Sequence, residues 1–161
     1  MINKTYKLQS IAVWLIIIEG INAGKIALQK RAKKDNGKPQ SFPFMFQPIV
    51  NGKLDTGETP QQAVHREATE ELGSNFTLPE LEFFYKEEYA CNGKPAIAYN
   101  FKGQISQKDL ENITLHSGAF SKLFFLDKSD LPNIKTTEKG SDPQKETVLF
   151  EDQLEALKKL F

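Results

Sequence analysis

The longest apolar run in the sequence covers residues 11–18 and contains Val13, Trp14 and three consecutive isoleucines. Its eight residues are far fewer than the roughly 20 that a membrane-spanning helix needs. A secretory leader can have an apolar region this short, but Glu19 follows at once and no convincing small-residue cleavage site comes after it. β-Branched and aromatic side chains pack well on a pleated surface. The pattern therefore predicts a buried strand over residues 10–19.

The polar and apolar positions that follow predict further strands separated by turns. Residues 21–24 are rich in Gly and Asn and predict a turn, after which residues 25–30 return as the second strand of a hairpin. Residues 31–41 are polar and predict an exposed loop. Other strands are predicted over residues 81–89, 96–105 and 122–126, and Asn92-Gly93 is a strong hairpin signal between the first two of these.

The clearest predicted helix covers residues 59–72. Thr59 is a good N-cap, Pro60 suits the first helical position, and Gln62 completes a capping box. Gly73 stands where a glycine with a left-handed backbone usually ends a helix. A short helical turn is expected over residues 109–112 and a polar loop over residues 136–145. A closing amphipathic helix is predicted over residues 150–161, with its apolar side formed by Leu154, Leu157, Leu160 and Phe161.

The whole pattern predicts one domain over residues 1–161, with a mixed sheet covered by helices, in the α/β (α+β) class. The length of 161 residues and the 39% of hydrophobic residues suit such a domain. Lys plus Arg and Asp plus Glu both number 21, and this balance argues against nucleic acid as a partner. Cys91 is the only cysteine, which excludes an internal disulfide and favours a reducing, cytoplasmic compartment.

The helix over residues 59–72 carries an unusual concentration of acidic residues. Glu67, Glu70 and Glu71 share one face at helical spacing, beside the apolar stripe that begins at Val64. Like charges at this spacing repel, and the cost grows near an apolar boundary. A bound Mg²⁺ would neutralise them, because this ion takes carboxylate oxygens together with water and substrate phosphates. The alternative is a solvated acidic face, which is common on helices in general.

The loop before the helix favours a site for a cation and a phosphate over a solvated acidic face. Gly52 and Gly57 allow the backbone to approach a ligand closely, and a helix N-terminus favours anions. At this point the sequence resembles the signature of the Nudix hydrolases between Gly52 and Ser74. The matching positions are Gly52, Glu58, Arg66, Glu67, Ala68, Glu70, Glu71 and Gly73. Ser74 departs from the usual apolar residue, and Asn51 stands where the family usually has a second glycine.

The resemblance implies a Nudix-like α/β/α sandwich and a role for each motif residue. Glu67, Glu70 and Glu71 would bind Mg²⁺ or Mn²⁺, and Glu67 could also deprotonate the attacking water. Arg66 would orient the glutamates or meet a phosphate, although a surface ion pair with Glu70 is also compatible with its position. The carbonyl of Asn51 would help to hold the metal. By position in the motif, Gly52, Glu58 and Gly73 are expected to be structural.

The function implied is metal-dependent cleavage of the pyrophosphate bond in a nucleoside diphosphate linked to another moiety. The run over residues 46–49 is similar to nucleoside triphosphate pyrophosphohydrolases. The alternatives are an ADP-ribose or dinucleotide-type pyrophosphatase, and a non-catalytic nucleotide-binding regulatory module of the same fold. An enzyme directed at RNA is disfavoured by the neutral charge. A small nucleotide is thus the expected partner, with no membrane, and the chain is expected to be a monomer or homodimer.

Several residues outside the motif are weaker candidates. Phe46 and Tyr85 could stack on a nucleobase, although most aromatic residues in such a chain belong to the core. His116 could act as a base, but a lone loop histidine is more often incidental. Cys91, next to Asn92-Gly93, is predicted to be a hairpin residue. An additional acidic metal ligand is expected from a later loop, and its candidates are Glu87, Glu88 and Glu111.

Overall fold

The computed structural model describes residues 5–138 and 148–161. The loop predicted over residues 136–145 therefore lies mostly outside the described residues, apart from a short strand at its start. Within the described part of the chain, no helix is long and apolar enough to cross a membrane.

The structure contains eleven strands and three α-helices in the described residues. The strands are β1 (Leu8–Ile17), β2 (Ile26–Lys30), β3 (Lys34–Asp35), β4 (Lys38–Pro39), β5 (Phe46–Pro48), β6 (Val50–Lys53), β7 (Glu82–Cys91), β8 (Lys94–Ile105), β9 (Phe124–Leu126), β10 (Thr136–Thr137) and β11 (Leu149–Phe150). The helices are α1 (Pro60–Leu72), α2 (Gln107–Leu110) and α3 (Glu151–Leu160), with a 3-10 helix over Lys128–Asn133. The predicted hairpins, main strands and helices are confirmed, with ends shifted by a few residues.

β1 lies at the centre of a seven-stranded mixed sheet. Along one edge it pairs in parallel with β8 over its whole length. Along the other edge it pairs antiparallel with β6 near its start and with β2 near its end. β2 in turn pairs with β5 and β9, and β7 closes the opposite edge beside β8. The predicted mixed sheet is confirmed, and β6 brings Gly52 opposite Ile11.

Alternation along β1 separates the core into two sides. Ile11, Val13 and Leu15 belong to the cluster that contains the buried residues of α1, and we call this face of the sheet the α1 side. Ala12 and Trp14 belong to the cluster that contains Ala156 and Leu157 of α3, on what we call the α3 side. Because successive strand residues point to opposite faces, this division places the sheet between α1 and α3.

The ends of α1 are fixed by local hydrogen bonds, as the sequence predicts. The Thr59 hydroxyl accepts from the Gln62 amide at 3.2 Å, and the Gln62 side chain accepts from the Thr59 amide at 2.9 Å. Gly73 follows the last turn with φ of 85°, although its ψ of 166° is extended and not left-handed helical. The predicted stripe of Val64, Ala68 and Leu72 is buried.

Two predictions about local structure were incomplete. The polar segment over residues 31–41 is not simply a loop, because β3 and β4 form a small hairpin within it. Asn36 and Gly37 turn this hairpin with positive φ angles of 50° and 80°, which both residue types tolerate. In α3, Leu157 is buried as predicted, but Asp152 and Gln153 are buried with it, so the inward face is more polar than predicted.

Candidate active site

Gly52 and Glu67 are in direct contact where β6 passes the middle of α1. A Cβ atom added to Gly52 would lie 2.2 Å from Cδ of Glu67 and 2.4 Å from its Oε1. A distance this short is not compatible with any larger residue unless the carboxylate moves. Pairing of Gly52 with Ile11 of the central strand fixes the backbone on the other side. The requirement for glycine here is therefore one of space.

Glu71 turns inward one helical turn further along α1. Its Oε2 accepts a hydrogen bond from the Asn51 backbone N–H at 3.1 Å and another from the Gln29 side chain at 3.3 Å. Burial raises the pKa of Glu71 well above its usual value, against the lowering effect of these two donors. Glu70, by contrast, has a side chain that is 59% exposed. Of the three carboxylates of the acidic face, Glu70 is thus exposed, whereas Glu67 and Glu71 are partly buried.

Arg66 joins the loop before α1 to the acidic face. Its guanidinium donates to both carboxylate oxygens of Glu58, at 2.8 and 2.9 Å, and to the Lys53 carbonyl at 2.9 Å. It also donates to Oε1 of Glu67 at 2.8 Å, while Oε2 of Glu70 lies 3.6 Å away. Arg66 therefore holds the carboxylate of Glu67 in place, which is more than the surface pair with Glu70 considered from the sequence.

The charges around the site are only partly balanced. Hydrogen bonds from Arg66 and from the Asp55 amide lower the pKa of Glu58 to about 2. Burial raises the pKa of Glu67 even though Arg66 opposes this effect. Both donors to Glu71 are uncharged amides. A second arginine, Arg31, is near enough to Glu71 for their attraction to raise the pKa of Arg31. Burial of Arg31 lowers that pKa by more.

The carboxylate oxygens of this face are suitable ligands for a hard divalent cation, but the side chains are not arranged around one in this structure. In residues 5–138 and 148–161, no group of three or more His, Cys, Asp or Glu side chains is arranged to hold a metal ion. The oxygens of Glu67 and Glu71 are hydrogen-bonded to Arg66 and to amides instead. Carboxylate oxygens are nevertheless the ligands that Mg²⁺ and Mn²⁺ take in proteins. The exposed Glu70 would have to turn inward to complete the set.

Two residues that the sequence analysis missed or discounted lie behind Glu71. Gln29 donates to Glu71 and accepts from the His116 ring, whose Nε2 lies 3.1 Å from the Gln29 Oε1. His116 was considered incidental, yet it is only one residue removed from the acidic face. A signal for Gln29 existed in the sequence, because it is a polar residue inside an apolar strand, two positions after the buried Ala27.

The weaker candidates lie elsewhere in the fold. Phe46 packs edge to face with Phe124 at 5.2 Å between ring centroids, on the α3 side. Tyr85, on the same side, donates a hydrogen bond to Glu87, which raises the pKa of its hydroxyl to about 12. Glu88 accepts a hydrogen bond from Tyr6. The structure does not place Phe46 or Tyr85 on the α1 side with the glutamates.

The mixed sheet between α1 and α3, with an acidic helix face held against a glycine loop, defines the Nudix hydrolase class. The sequence comparison agrees, since residues 9–147 match the family model of the NUDIX domain, and the chain belongs to this family. It is accordingly a hydrolase that acts on phosphorus-containing anhydrides. A comparison of the chain with curated proteins gives no match.

Solved structures with the same fold include proteins from several organisms. A mutT/nudix family protein from Listeria innocua has a TM-score of 0.65 at 20% identity, over 98% of this chain and 94% of that one. The NUDIX domain of Shewanella oneidensis NrtR, crystallised with ADP ribose, has a TM-score of 0.64 at 13% identity, over 98% and 88%. An Ap4A hydrolase from C. elegans has a TM-score of 0.54 at 18% identity, over 78% and 84%. Identities this low establish the fold alone.

Proposed function

We propose that the protein hydrolyses the pyrophosphate bond of a nucleoside diphosphate linked to another moiety, with Mg²⁺ or Mn²⁺ bound at Glu67, Glu70 and Glu71. The observation that carries this proposal is the packing of the Glu67 carboxylate on Gly52. It brings an acidic helix face and a backbone strand so close that a phosphate and a cation could contact both.

Each residue of the site has a role in this proposal. Glu67, Glu70 and Glu71 would hold the cation, which would supply neutralisation of charge on the phosphate oxygens and a lowered pKa for a bound water. Glu67 accepts the proton of the attacking water, and Arg66 keeps its carboxylate oriented through the contact at 2.8 Å. The water oxygen forms a bond to one phosphorus, and the bridging P–O bond breaks. The carbonyl of Asn51 is a further candidate ligand, because its N–H already contacts Glu71.

The substrate is proposed to be a small nucleotide, and a nucleoside triphosphate is the first candidate. Support comes from the run over residues 46–49, because this run is similar to nucleoside triphosphate pyrophosphohydrolases. The run contains β5 and lies immediately before β6. ADP-ribose and dinucleoside polyphosphates are second candidates, since similar folds bind ADP ribose in Shewanella oneidensis NrtR and occur in an Ap4A hydrolase. Phe46 and Tyr85 are candidates only for contact with the base of a nucleotide that extends from the acidic face to the α3 side of the sheet. We also propose one domain over residues 1–161, a cytoplasmic location and a monomer or homodimer.

A magnesium-dependent assay over a nucleotide panel tests the proposal. The wild type is compared with Glu71→Gln, which keeps the shape of the side chain and removes its charge. Glu19→Gln is the matched control, because Glu19 is an exposed carboxylate beyond the end of β1. We expect turnover by the wild type and Glu19→Gln, and a loss of about 100-fold or more in kcat for Glu71→Gln, as metal-bound charge carries much of such catalysis.

Two results would count against the proposal. Equal turnover by Glu71→Gln and the wild type would exclude catalysis through the acidic face. Tight nucleotide binding by the wild type without turnover of any member of the panel would instead favour the regulatory binding module.

A further inference from the structure

Gln29 is almost completely buried beneath the acidic face of α1. Its side chain is in the fourth position of β2, and the residue is 1% exposed. A buried amide is costly unless its polar atoms have partners. Here Nε2 donates to the Ile49 carbonyl at 2.6 Å and to Oε2 of Glu71 at 3.3 Å. Oε1 is paired with His116. Both polar atoms of the Gln29 side chain therefore have hydrogen-bond partners inside the protein.

The hydrogen bonds of His116 fix the direction of this chain of contacts. The Gly118 backbone N–H donates to Nδ1 of His116 at 3.2 Å, so Nδ1 carries no proton. The neutral ring then has its proton on Nε2, which donates to Oε1 of Gln29 at 3.1 Å. With Oε1 used as the acceptor, the amide N–H₂ of Gln29 is directed at Ile49 and Glu71. A flipped amide would set oxygen against oxygen at both contacts.

The segment that carries His116 is itself held in place. The Gln40 side chain donates to the Gly118 carbonyl at 2.7 Å and to the Ala32 carbonyl at 2.9 Å. A Cβ on Gly118 would lie only 3.0 Å from Oε1 of Gln40 and 3.0 Å from Cε1 of His116. Ala32 also donates its backbone N–H to the Gly118 carbonyl at 2.9 Å. The position of the ring is thus determined by the end of β2 and the segment after it.

We propose that Gln29 is a positioning residue for Glu71 and that His116 sets the orientation of the Gln29 amide. Gln29 and the Asn51 N–H together hold Oε2 of Glu71, which leaves Oε1 available for a cation. This inference rests on the proposed function, because it concerns the cation site at Glu67, Glu70 and Glu71. Removal of the hydrogen-bond partner of a metal ligand commonly lowers the metal affinity by about 10- to 100-fold.

The first test measures Mn²⁺ binding to the free protein by electron paramagnetic resonance, without substrate. Gln29→Met keeps the length and volume of the side chain and removes both polar atoms. We expect the Kd for Mn²⁺ to rise about tenfold. An unchanged Kd in a folded Gln29→Met protein would overturn the proposal.

The second test uses a pair of variants outside the core strand, so that it decides the matter even if Gln29→Met does not fold. His116→Gln retains an N–H₂ group that can donate to Oε1 of Gln29, whereas His116→Leu retains none. We expect His116→Gln to bind Mn²⁺ close to the wild-type affinity and His116→Leu to bind it several-fold more weakly. Equal affinities for the two variants would overturn the role of His116, since loss of packing alone gives no rescue by an amide.

Glu71→Gln separates a failure of this inference from a failure of the proposed function. If Glu71→Gln binds Mn²⁺ as tightly as the wild type, the cation site itself is wrong and the inference falls with it. If Glu71→Gln weakens binding while Gln29→Met and His116→Leu do not, the site stands and the positioning role is refuted.

Discussion

Gly52 illustrates how a single missing side chain determines the site. It is not among the glycines with positive φ, so a larger residue would not be excluded by its backbone conformation. What excludes a larger residue is Glu67, whose carboxylate occupies the space of a Cβ. A substitution at this residue should therefore affect the orientation of the Glu67 carboxylate more than the stability of the fold.

Gly52→Ala tests this view. We expect kcat/KM to fall about 10- to 100-fold because Glu67 must move, with only a modest decrease in Tm. Gly93→Ala is the control, since Gly93 turns the β7–β8 hairpin with φ of 74° and has open space around it. That variant should lose about 1 kcal/mol of stability and retain its activity. The reverse pattern for the two variants would show that Gly52 serves only the fold.

Glu58 makes the stability of the molecule depend on pH. Its pKa is lowered from 4.5 to about 2 by Arg66 and the Asp55 amide, so the unfolded state binds more protons between these values. The stabilisation is fully present above about pH 4.5 and is lost as the pH falls through about 2. Thermal unfolding of wild type and Glu58→Gln should show a Tm difference at pH 7 that shrinks steadily in this range. A constant difference from pH 7 to pH 2 would contradict the assignment.

At the scale of elements, the sequence predicted those features that depend on contacts between neighbouring residues. The capping box at Thr59 and the Asn92-Gly93 turn fix the start of α1 and the β7–β8 hairpin by contacts within a few residues. The β3–β4 hairpin had a similar Asn36-Gly37 signal, but the charged residues around it resembled an ordinary loop. The inward face of α3 could not be predicted, because its burial of Asp152 and Gln153 depends on how the helix docks on the sheet.

Gln153 is a point of weakness in α3. It is 3% exposed, and among the buried side chains described here its Nε2 and Oε1 have no hydrogen-bond partner. Gln153→Met removes these polar atoms at nearly constant volume, and we expect it to raise the free energy of unfolding by about 1 kcal/mol. Gln29→Met should have the opposite sign, because the Gln29 amide has three partners. Denaturant unfolding measures both, and a destabilised Gln153→Met would show that its amide is satisfied in solution.

At the scale of the whole molecule, the site is assembled from segments far apart in the sequence. β1 pairs with β6 and β2, and these strands bring Asn51 and Gln29 to Glu71 of α1. The Gly52–Gly73 segment could be recognised from spacing alone, since it is continuous in the chain. The contact of His116 with Gln29 joins residues 87 positions apart. No local pattern predicts such a pair, and a lone loop histidine such as His116 is for this reason predicted to be incidental from the sequence.

The central claim is that the acidic face of α1 binds a divalent cation. A crystal structure of the protein grown with saturating Mn²⁺ tests it most directly, with anomalous scattering to locate the ion. We expect one or more manganese peaks at about 2.1 Å from carboxylate oxygens of Glu67, Glu70 and Glu71, with Glu70 turned inward from its exposed position. Saturating Mn²⁺ that leaves this face without a peak, with Glu71 still bonded to Gln29 and Asn51, would contradict it.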